Sequence, residues 1–168
     1  MNDEHFLRRA IALALMAREH GCDPFGAVLV RDGTILYEGY DHCVEMSDPT
    51  YHAELSVISN YCRSERVFSL HGCTLYCSAE PCPMCIGAIH WSRISRVVFS
   101  VSQQMLHEWS GGTLKPSHAQ IAEFGFLRTE FVGPLLPEEG LKAFDGLPKV
   151  SKIERHAQRF GVTTPPAP

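Results

Sequence analysis

Hydrophobic and polar positions follow two different periods along this chain, one typical of helices and one typical of strands. Apolar residues recur at a helical spacing in residues 3–20, where Asp3 can cap the start and Gly21 can end the helix. Further helices are predicted over 52–62, 83–91 and 149–160, and another begins at Pro137. Short runs of β-branched, aromatic and other apolar residues predict strands over 26–31, 34–37, 73–78, 96–101 and 127–132.

The connections between these elements indicate the fold class. Asp32-Gly33 between the first two strands is a strong hairpin signal, and residues 41–51 are polar and predict a loop. Residues 102–125 are ambiguous, because Gly111-Gly112 interrupts them while Ser117 can cap a short helix. Helices that alternate with strands after one hairpin predict an α/β protein with three α/β/α layers and a mixed sheet.

Length and composition fit one ordinary domain. The chain has 168 residues, 45% of them hydrophobic and 20% charged, which excludes disordered, collagen-like and coiled-coil chains. We expect a single domain over 1–160 and a disordered tail over 161–168. No apolar run approaches the ~20 residues that span a bilayer, so we expect no membrane contact. The acidic start of the chain is unlike a signal peptide, and a cytoplasmic protein is expected.

Charge and cysteine content narrow the ligand class. The formal net charge is −4, which disfavours nucleic acid as the main ligand, because such proteins are usually basic. Seven cysteines without an export signal argue against a disulfide framework. Buried thiols together with a metal site are the better interpretation.

Two short motifs carry the candidate chemistry. His52-Ala53-Glu54 opens the second predicted helix, and Pro81-Cys82-Pro83-Met84-Cys85 opens the third. One histidine and two cysteines are preferred zinc ligands, and three protein ligands leave the fourth tetrahedral position for water. Zinc activates water at neutral pH, and Glu54 can take its proton and return it to a leaving amine. The pattern H-x-E followed by P-C-x-x-C is the signature of zinc-dependent base deaminases.

Simpler interpretations of the cysteine motif stay open at this point. A lone C-x-x-C can be a structural zinc site or a redox pair. A structural site needs a fourth protein ligand, for which His71, Cys73 and Cys77 are possible donors. Because they lie in or before the third predicted strand, we interpret them as core or surface residues.

The sequence around both motifs resembles the cytidine deaminase superfamily, from about Phe6 to Val101. Within it, the chain is similar to the branch of bacterial guanine deaminases, fungal-type cytosine deaminases and tRNA adenosine deaminases. The resemblance rests on three segments: Pro24-Phe25-Gly26-Ala27-Val28, Asp48-Pro49-Thr50 before His52-Ala53-Glu54, and Ala79-Glu80-Pro81-Cys82-Pro83-Met84-Cys85-Ile86-Gly87-Ala88-Ile89. It implies a cytidine-deaminase-like fold with a five-stranded sheet and usually a homodimer. It also implies that His52, Cys82 and Cys85 bind Zn²⁺, that Glu54 shuttles protons and that Ala53 contacts the substrate.

Asp41 departs from the pattern of this branch, which usually has an asparagine there whose amide fixes the base. An ionised aspartate only accepts hydrogen bonds, whereas an asparagine also donates them. One hypothesis is that Asp41 faces a substrate edge that presents N–H groups. The alternative is that Asp41 only braces its loop.

Three other residues are candidate substrate contacts with simpler alternatives. Phe25 can stack on a flat base or pack in the core. Trp109, just before Gly111-Gly112, can belong to a lid, or it can serve packing or a dimer contact. Glu108 and its neighbour His107 can supply a polar contact or belong to a solvated loop.

Three functions are therefore weighed. The favoured one is zinc-dependent deamination of a free nucleobase, nucleoside or related amino-heterocycle, with guanine-deaminase-like activity preferred. The second is adenosine-to-inosine deamination in tRNA, although the segment after residue 101 lacks that group's Gly- and Ala-rich stretch. The third is a catalytically silent, zinc-stabilised binding protein, which the presence of Glu54 disfavours.

Overall fold

A computed structural model of the protein describes residues 2–111, 116–123 and 128–162. In chain order, the elements are α1 (Asp3–Glu19), β1 (Gly26–Arg31), β2 (Thr34–Tyr40), α2 (Cys43–Met46), α3 (Ala53–Glu65), β3 (Thr74–Ala79), α4 (Pro83–Trp91), β4 (Arg96–Val101), α5 (Gln103–Ser110), α6 (His118–Ala122), β5 (Glu130–Val132), α7 (Pro137–Leu141) and α8 (Lys152–Phe160). A short 3-10 helix over Lys142–Phe144 follows α7.

Within the described residues, five strands form one sheet in the order β2-β1-β3-β4-β5. β1 is antiparallel to both β2 and β3, whereas β3, β4 and β5 run parallel. The expected mixed five-stranded sheet is thus confirmed. The parallel strands place the ends of β3 and β4 at the same edge, where the helices α4 and α5 begin.

Alternate residues of the central strands point to opposite faces of the sheet, and helices cover both faces. Leu29, Leu75 and Val97 join the apolar cluster that includes residues of α3 and α4. Val28 and Tyr76 join the cluster that includes residues of α1. The sheet therefore lies between two helical layers, as the sequence predicts.

The structure differs from the sequence predictions in and after the hairpin. The strand expected over 34–37 continues to Tyr40, because pairing with β1 extends until Gly26 lies opposite Tyr40. The loop expected over 41–51 contains the short helix α2. The helix expected over 52–62 runs three residues further, to Glu65.

The first helix is capped by Asn2 rather than by Asp3. Asn2 Oδ1 accepts a hydrogen bond from the His5 backbone N–H at 3.3 Å. The Asp3 carboxylate is instead engaged by Arg96 at 2.8–2.9 Å and by the Tyr76 hydroxyl at 2.8 Å. Asp3, the cap predicted from the local sequence, therefore binds residues that are distant along the chain, and Asn2 caps the helix.

The ambiguous segment after β4 contains α5 and α6. Ser117 caps α6, as predicted, in a reciprocal capping box with Gln120. The strand expected over 127–132 begins at Glu130, and position 127 lies outside the described residues. The helix expected over 149–160 begins at Lys152, after a capping box between Ser151 and Glu154. Most of the predicted tail, residues 163–168, also lies outside the described part, so the domain boundary at 160 stays a prediction.

Among the described residues, no helix is both long enough and apolar enough to cross a bilayer.

We expect Gly26→Ala to destabilise the fold by about 1–3 kcal/mol or more, because β1 and α1 approach closely at this residue. An added Cβ would lie 2.3 Å from the Ala10 carbonyl oxygen and 2.7 Å from Leu13 Cβ. Urea denaturation would measure the change. Gly87→Ala in α4 is the matched control, since the same Cβ there meets no atom within 4 Å outside its own helix backbone. The close-approach argument fails if the two variants are equally stable.

Candidate functional site

Three metal-ligating side chains meet where α3 and α4 begin. His52 and Cys82 are the residues that precede the first turns of α3 and α4, and both have extended backbone angles. His52 Nδ1 lies 3.6 Å from each of the sulfur atoms of Cys82 and Cys85, and the two sulfurs lie 3.6 Å apart. Donors at zinc–ligand distances around one tetrahedral ion are separated by roughly 3.6–3.8 Å. The donor set and its spacing therefore fit zinc.

The start of α4 also favours the ligating, thiolate form of Cys82. Pro83 occupies the first turn of α4, and the positive end of the helix dipole stabilises a thiolate there. A hydrogen bond from Cys85, together with the neighbouring His52 ring, lowers the pKa of the Cys82 thiol to about 3. The cluster leaves one tetrahedral position for water or substrate.

Glu54 lies beside the cluster without belonging to it. It is buried in the first turn of α3, and its Oε2 lies 3.6 Å from Cys85 Sγ. Burial raises the pKa of this carboxyl above its ordinary value. A carboxylate next to, but outside, a three-ligand cluster is placed to exchange protons with a molecule at the fourth position.

The alternative donors considered from the sequence do not join this cluster. Among the described residues, its members are His52, Cys82 and Cys85 alone. Cys73 and Cys77 are buried in the core with Leu75, and His71 is exposed. A second group of possible donors, formed by Asp41, Cys43 and His52, shares His52 with the first.

Glu80 fixes the segment that carries Cys82, a role that the sequence analysis did not identify. Its Oε2 accepts from the Gln103 backbone N–H, and its Oε1 accepts from the His118 backbone N–H, both at 2.9 Å. The His118 ring also lies 2.6 Å from Oε1. Glu80 therefore ties the end of β3 to α5 and α6. A carboxylate directly before a proline and a metal ligand was the available signal.

Asp41 is fully buried at the end of β2. Its Oδ1 accepts from the Cys43 backbone N–H at 3.1 Å, and its Oδ2 accepts from the ammonium group of Lys152 in α8. These contacts brace the loop, as the alternative interpretation expects. A direct contact between Asp41 and a substrate stays a prediction.

Phe25 and Trp109 line one small cavity of about 50 Å³, which Lys152 and His107 also line. The two aromatic side chains pack against Phe144, with ring centroids 5.7 and 5.0 Å from it. Ligand pockets usually measure about 300–1,000 Å³, so a ligand that enters here has to displace a wall. The structure thus brings two predicted contacts together in one cavity.

The remaining predicted contacts, Glu108 and Ala53, do not line this cavity. Glu108 is exposed and accepts a hydrogen bond from Gln104 at 2.8 Å, so the structure does not bring it to the cavity. Ala53 is fully buried at the start of α3 and belongs to the core cluster beneath that helix.

The C-terminal helix α8 closes the cavity and is attached mainly through charges. None of the residues of α8 is buried. Its basic side chains nevertheless converge on Asp23, and Asp23 is buried. Arg155 donates to Asp23 Oδ1 at 2.8 and 3.1 Å, His156 Nε2 lies 2.5 Å from Oδ2, and Lys152 Nζ lies 3.6 Å from Oδ2. Four basic residues at helical spacing were the signal for this face: Lys152, Arg155, His156 and Arg159.

We expect Asp23→Asn to destabilise the attachment of α8 by about 3 kcal/mol, because it removes the buried carboxylate that three half-buried cations of α8 share. Hydrogen exchange of α8 should quicken, and urea denaturation would report any global change. Glu139→Gln is the control: it removes an exposed partner of Arg8 and should change stability much less. Slowed or unchanged exchange of α8 in Asp23→Asn would contradict the attachment.

The same carboxylate gives this attachment a defined pH dependence. Burial alone would raise the pKa of Asp23, but His156, Lys152 and Arg155 outweigh it and hold that pKa well below its usual range. The stabilisation is therefore fully present above about pH 4, the unfolded pKa, and is lost as the pH falls towards the lowered folded value.

The three possible zinc ligands lie within a segment that matches a known protein family. Residues 1–101 match the cytidine and deoxycytidylate deaminase zinc-binding region. The guanine deaminase of Bacillus subtilis (strain 168) is 46% identical over 101 residues, which is 60% of this chain and 65% of that protein. The tRNA-specific adenosine deaminase of Aquifex aeolicus (strain VF5) is 42% identical over 100 residues, 60% of this chain and 66% of that protein. The matches thus span just under two thirds of these relatives.

A solved structure extends the similarity beyond the matched region. A chain from a study of A-to-I editing by tRNA:A34 deaminases superposes with a TM-score of 0.72 at 28% identity, covering 83% of this chain and 99% of that one. The fold is therefore shared with this structure beyond β4, although the sequence matches to the two curated relatives are confined to about 100 residues.

Proposed function

Because the chain belongs to the family defined by the cytidine and deoxycytidylate deaminase zinc-binding region, we propose that it is a zinc-dependent hydrolase that removes an amino group from a small heterocycle. The favoured substrate is a free nucleobase of the guanine type. The observation that carries the proposal is the buried Glu54 carboxylate beside, but outside, a three-ligand cluster. A purely structural zinc site has no need of such a carboxylate.

The mechanism assigns each residue a chemical task. His52, Cys82 and Cys85 would hold the zinc ion, which when bound supplies an electrophile that activates water at neutral pH. Glu54 accepts a proton from the attacking water and delivers it to the ring nitrogen; it then accepts a second proton from the hydroxyl group added to the carbon and delivers that proton to the departing amine. The carbon gains an oxygen atom from water, its bond to the amino nitrogen breaks, and ammonia leaves.

A small substrate is supported by the surroundings of the site. The flat side chains of Phe25 and Trp109 line a cavity with Lys152 of α8, and Lys152 pairs with Asp41, which lies within 4.8 Å of a ring nitrogen of His52. Aromatic side chains of this kind can stack on a base. The net charge of −4 also gives little general attraction for a polyanion.

Adenosine-to-inosine deamination in tRNA is the second candidate. It is favoured by the 42% identity to the Aquifex aeolicus enzyme and by the TM-score of 0.72 to the tRNA:A34 deaminase structure. It requires binding of an anticodon stem-loop that weakens steeply with salt.

The test is ammonia release by the purified, zinc-loaded protein, with Glu54→Ala as the blank. The panel holds guanine, adenine, cytosine, isocytosine, their nucleosides, amino-triazines and an anticodon stem-loop. Turnover of a small heterocycle that the blank lacks supports the proposal. Turnover of the stem-loop alone would instead favour the tRNA reaction. Bound zinc without any turnover would point to a silent binding protein.

A homodimer in the cytoplasm completes the proposal. Phe68 and Trp91 are 93% and 74% exposed beside one surface groove, and large apolar groups of this kind often mark an interface. All seven cysteines are free thiols, which suits a reducing compartment. Light scattering of the purified protein would measure the mass in solution.

A further inference from the structure

Lys152 lines the aromatic cavity and pairs with Asp41, a member of the second group of possible donors, which shares His52 with the metal cluster. Its ammonium group donates to Asp41 Oδ2, lies 3.4 Å from Cys43 Sγ, and lies 5.4 Å from the centroid of the Phe25 ring. The same side chain lines the cavity that Trp109 also lines. Lys152 comes from α8, which is outside the region matched by the family.

The ammonium group is charged and has donor capacity left. Burial alone would lower the pKa of Lys152, but the carboxylates of Asp41 and Asp23 outweigh it and raise that pKa. An ammonium group carries three N–H donors. Among the described residues, the ammonium group donates to Asp41 Oδ2 and, more weakly, to Cys43 Sγ at 3.4 Å, whereas Asp23 Oδ2 lies 3.6 Å away; one N–H donor is left.

The separation from the metal cluster suits a flat ring. One ligand atom of Asp41 and one ring nitrogen of His52 lie within 4.8 Å of each other, and Lys152 donates a hydrogen bond to Asp41. A heterocycle whose amino-bearing carbon lies at the metal cluster can therefore reach Lys152 with another edge. Since α8 buries none of its residues, it is the wall that can move aside and close again over such a ring.

We propose that Lys152 is a specificity-determining residue that donates a hydrogen bond to an acceptor atom, an oxo group or an unprotonated ring nitrogen, on the heterocycle. This inference rests on the proposed function, since it assumes that the site holds an amino-heterocycle. It makes amino-oxo bases the preferred substrate class over amino bases that lack the oxo group. Asp41 neutralises and orients the ammonium group.

The experiment measures equilibrium binding by calorimetry, so that it does not depend on turnover. The zinc-loaded protein carries Glu54→Ala to prevent reaction. Two ligand pairs that differ by one oxo group are compared: guanine with 2-aminopurine, and cytosine with 4-aminopyrimidine. Lys152→Met removes the donor at similar length, and Lys149→Met makes the same substitution at an exposed lysine nearby.

With Lys152 present, we expect at least one oxo ligand to bind about tenfold or more tightly than its partner, as for a hydrogen bond to a charged group. Lys152→Met should bring that ratio to within about twofold, whereas Lys149→Met should leave it unchanged. An unchanged ratio in Lys152→Met would overturn the proposal, as would tighter binding of both ligands or no binding of any of them.

Two further results separate this inference from the proposed function and from a folding defect. If the Glu54→Ala protein binds an oxo base selectively but the protein with Glu54 intact releases no ammonia from any base, the proposed function fails and the specificity role stands. If Lys152→Met is unstable because Asp41 is left unpaired, Asp41→Asn combined with Lys152→Met restores a neutral pair. That double variant must still have lost the preference for the oxo ligand.

Discussion

Glu54→Gln should lower the rate of ammonia release by about 10²- to 10⁴-fold, the range that general acid–base groups contribute. Glutamine keeps the size of the side chain but cannot accept a proton from the attacking water. Because Glu54 is not one of the three clustered donors, zinc content should be unchanged. Steady-state ammonia release and zinc analysis of the same preparation would measure both quantities.

Glu65→Gln is the matched control for this prediction. Glu65 is the last residue of the same helix, α3, at the opposite end from His52. Its side chain is exposed. Its variant should retain full turnover and zinc. If Glu54→Gln keeps most of the activity, the assignment of Glu54 as the proton-transfer group is wrong, and another residue must transfer the protons.

Cys85→Ala should remove both the zinc and the turnover. The Cys85 sulfur lies 3.6 Å from both of the other donors, so its loss leaves two protein ligands, fewer than the three found at catalytic zinc sites. Metal analysis after dialysis should fall from about one zinc per chain to a small fraction of that value. Activity should fall in proportion to the zinc that is lost.

Cys77→Ala gives a close control for the loss of a buried thiol. Cys77 is as buried as Cys85 but lies in β3, within the core cluster. Its removal should lower the free energy of unfolding by about 1 kcal/mol through the small cavity that it leaves, while zinc stays bound. Zinc retention by Cys85→Ala, or zinc loss by Cys77→Ala, would each contradict the assigned ligand set.

The elements with the clearest local signals could be predicted from the sequence. The bounds of α4 and β4 agree with the prediction residue for residue, because a proline opens α4 and a run of apolar β-branched residues forms β4. The grouping of His52, Cys82 and Cys85 was also predictable, since each motif opens a helix and carries its possible donors within a few residues. Local spacing was enough to place these side chains.

Contacts between distant parts of the chain could not be predicted in the same way. Lys152 and Asp41 are 111 residues apart, and Asp23 is 132 residues from Arg155. Local patterns contain no information about such pairs, so the basic residues of α8 could be counted as charge but not assigned partners. The same limit applies to α2, a single short turn within a polar segment.

The weak burial of α8 implies that the protein opens in two stages. The metal donors lie on helices packed over the sheet, so freeing them requires exposure of the main apolar core. Opening α8 exposes little apolar surface and breaks mainly ion pairs, which makes it a local fluctuation with its own, smaller free energy. For the proposed deamination, the lifetime of those ion pairs would then limit how often the product escapes, and the turnover number would report the motion of this helix rather than the bond-breaking step.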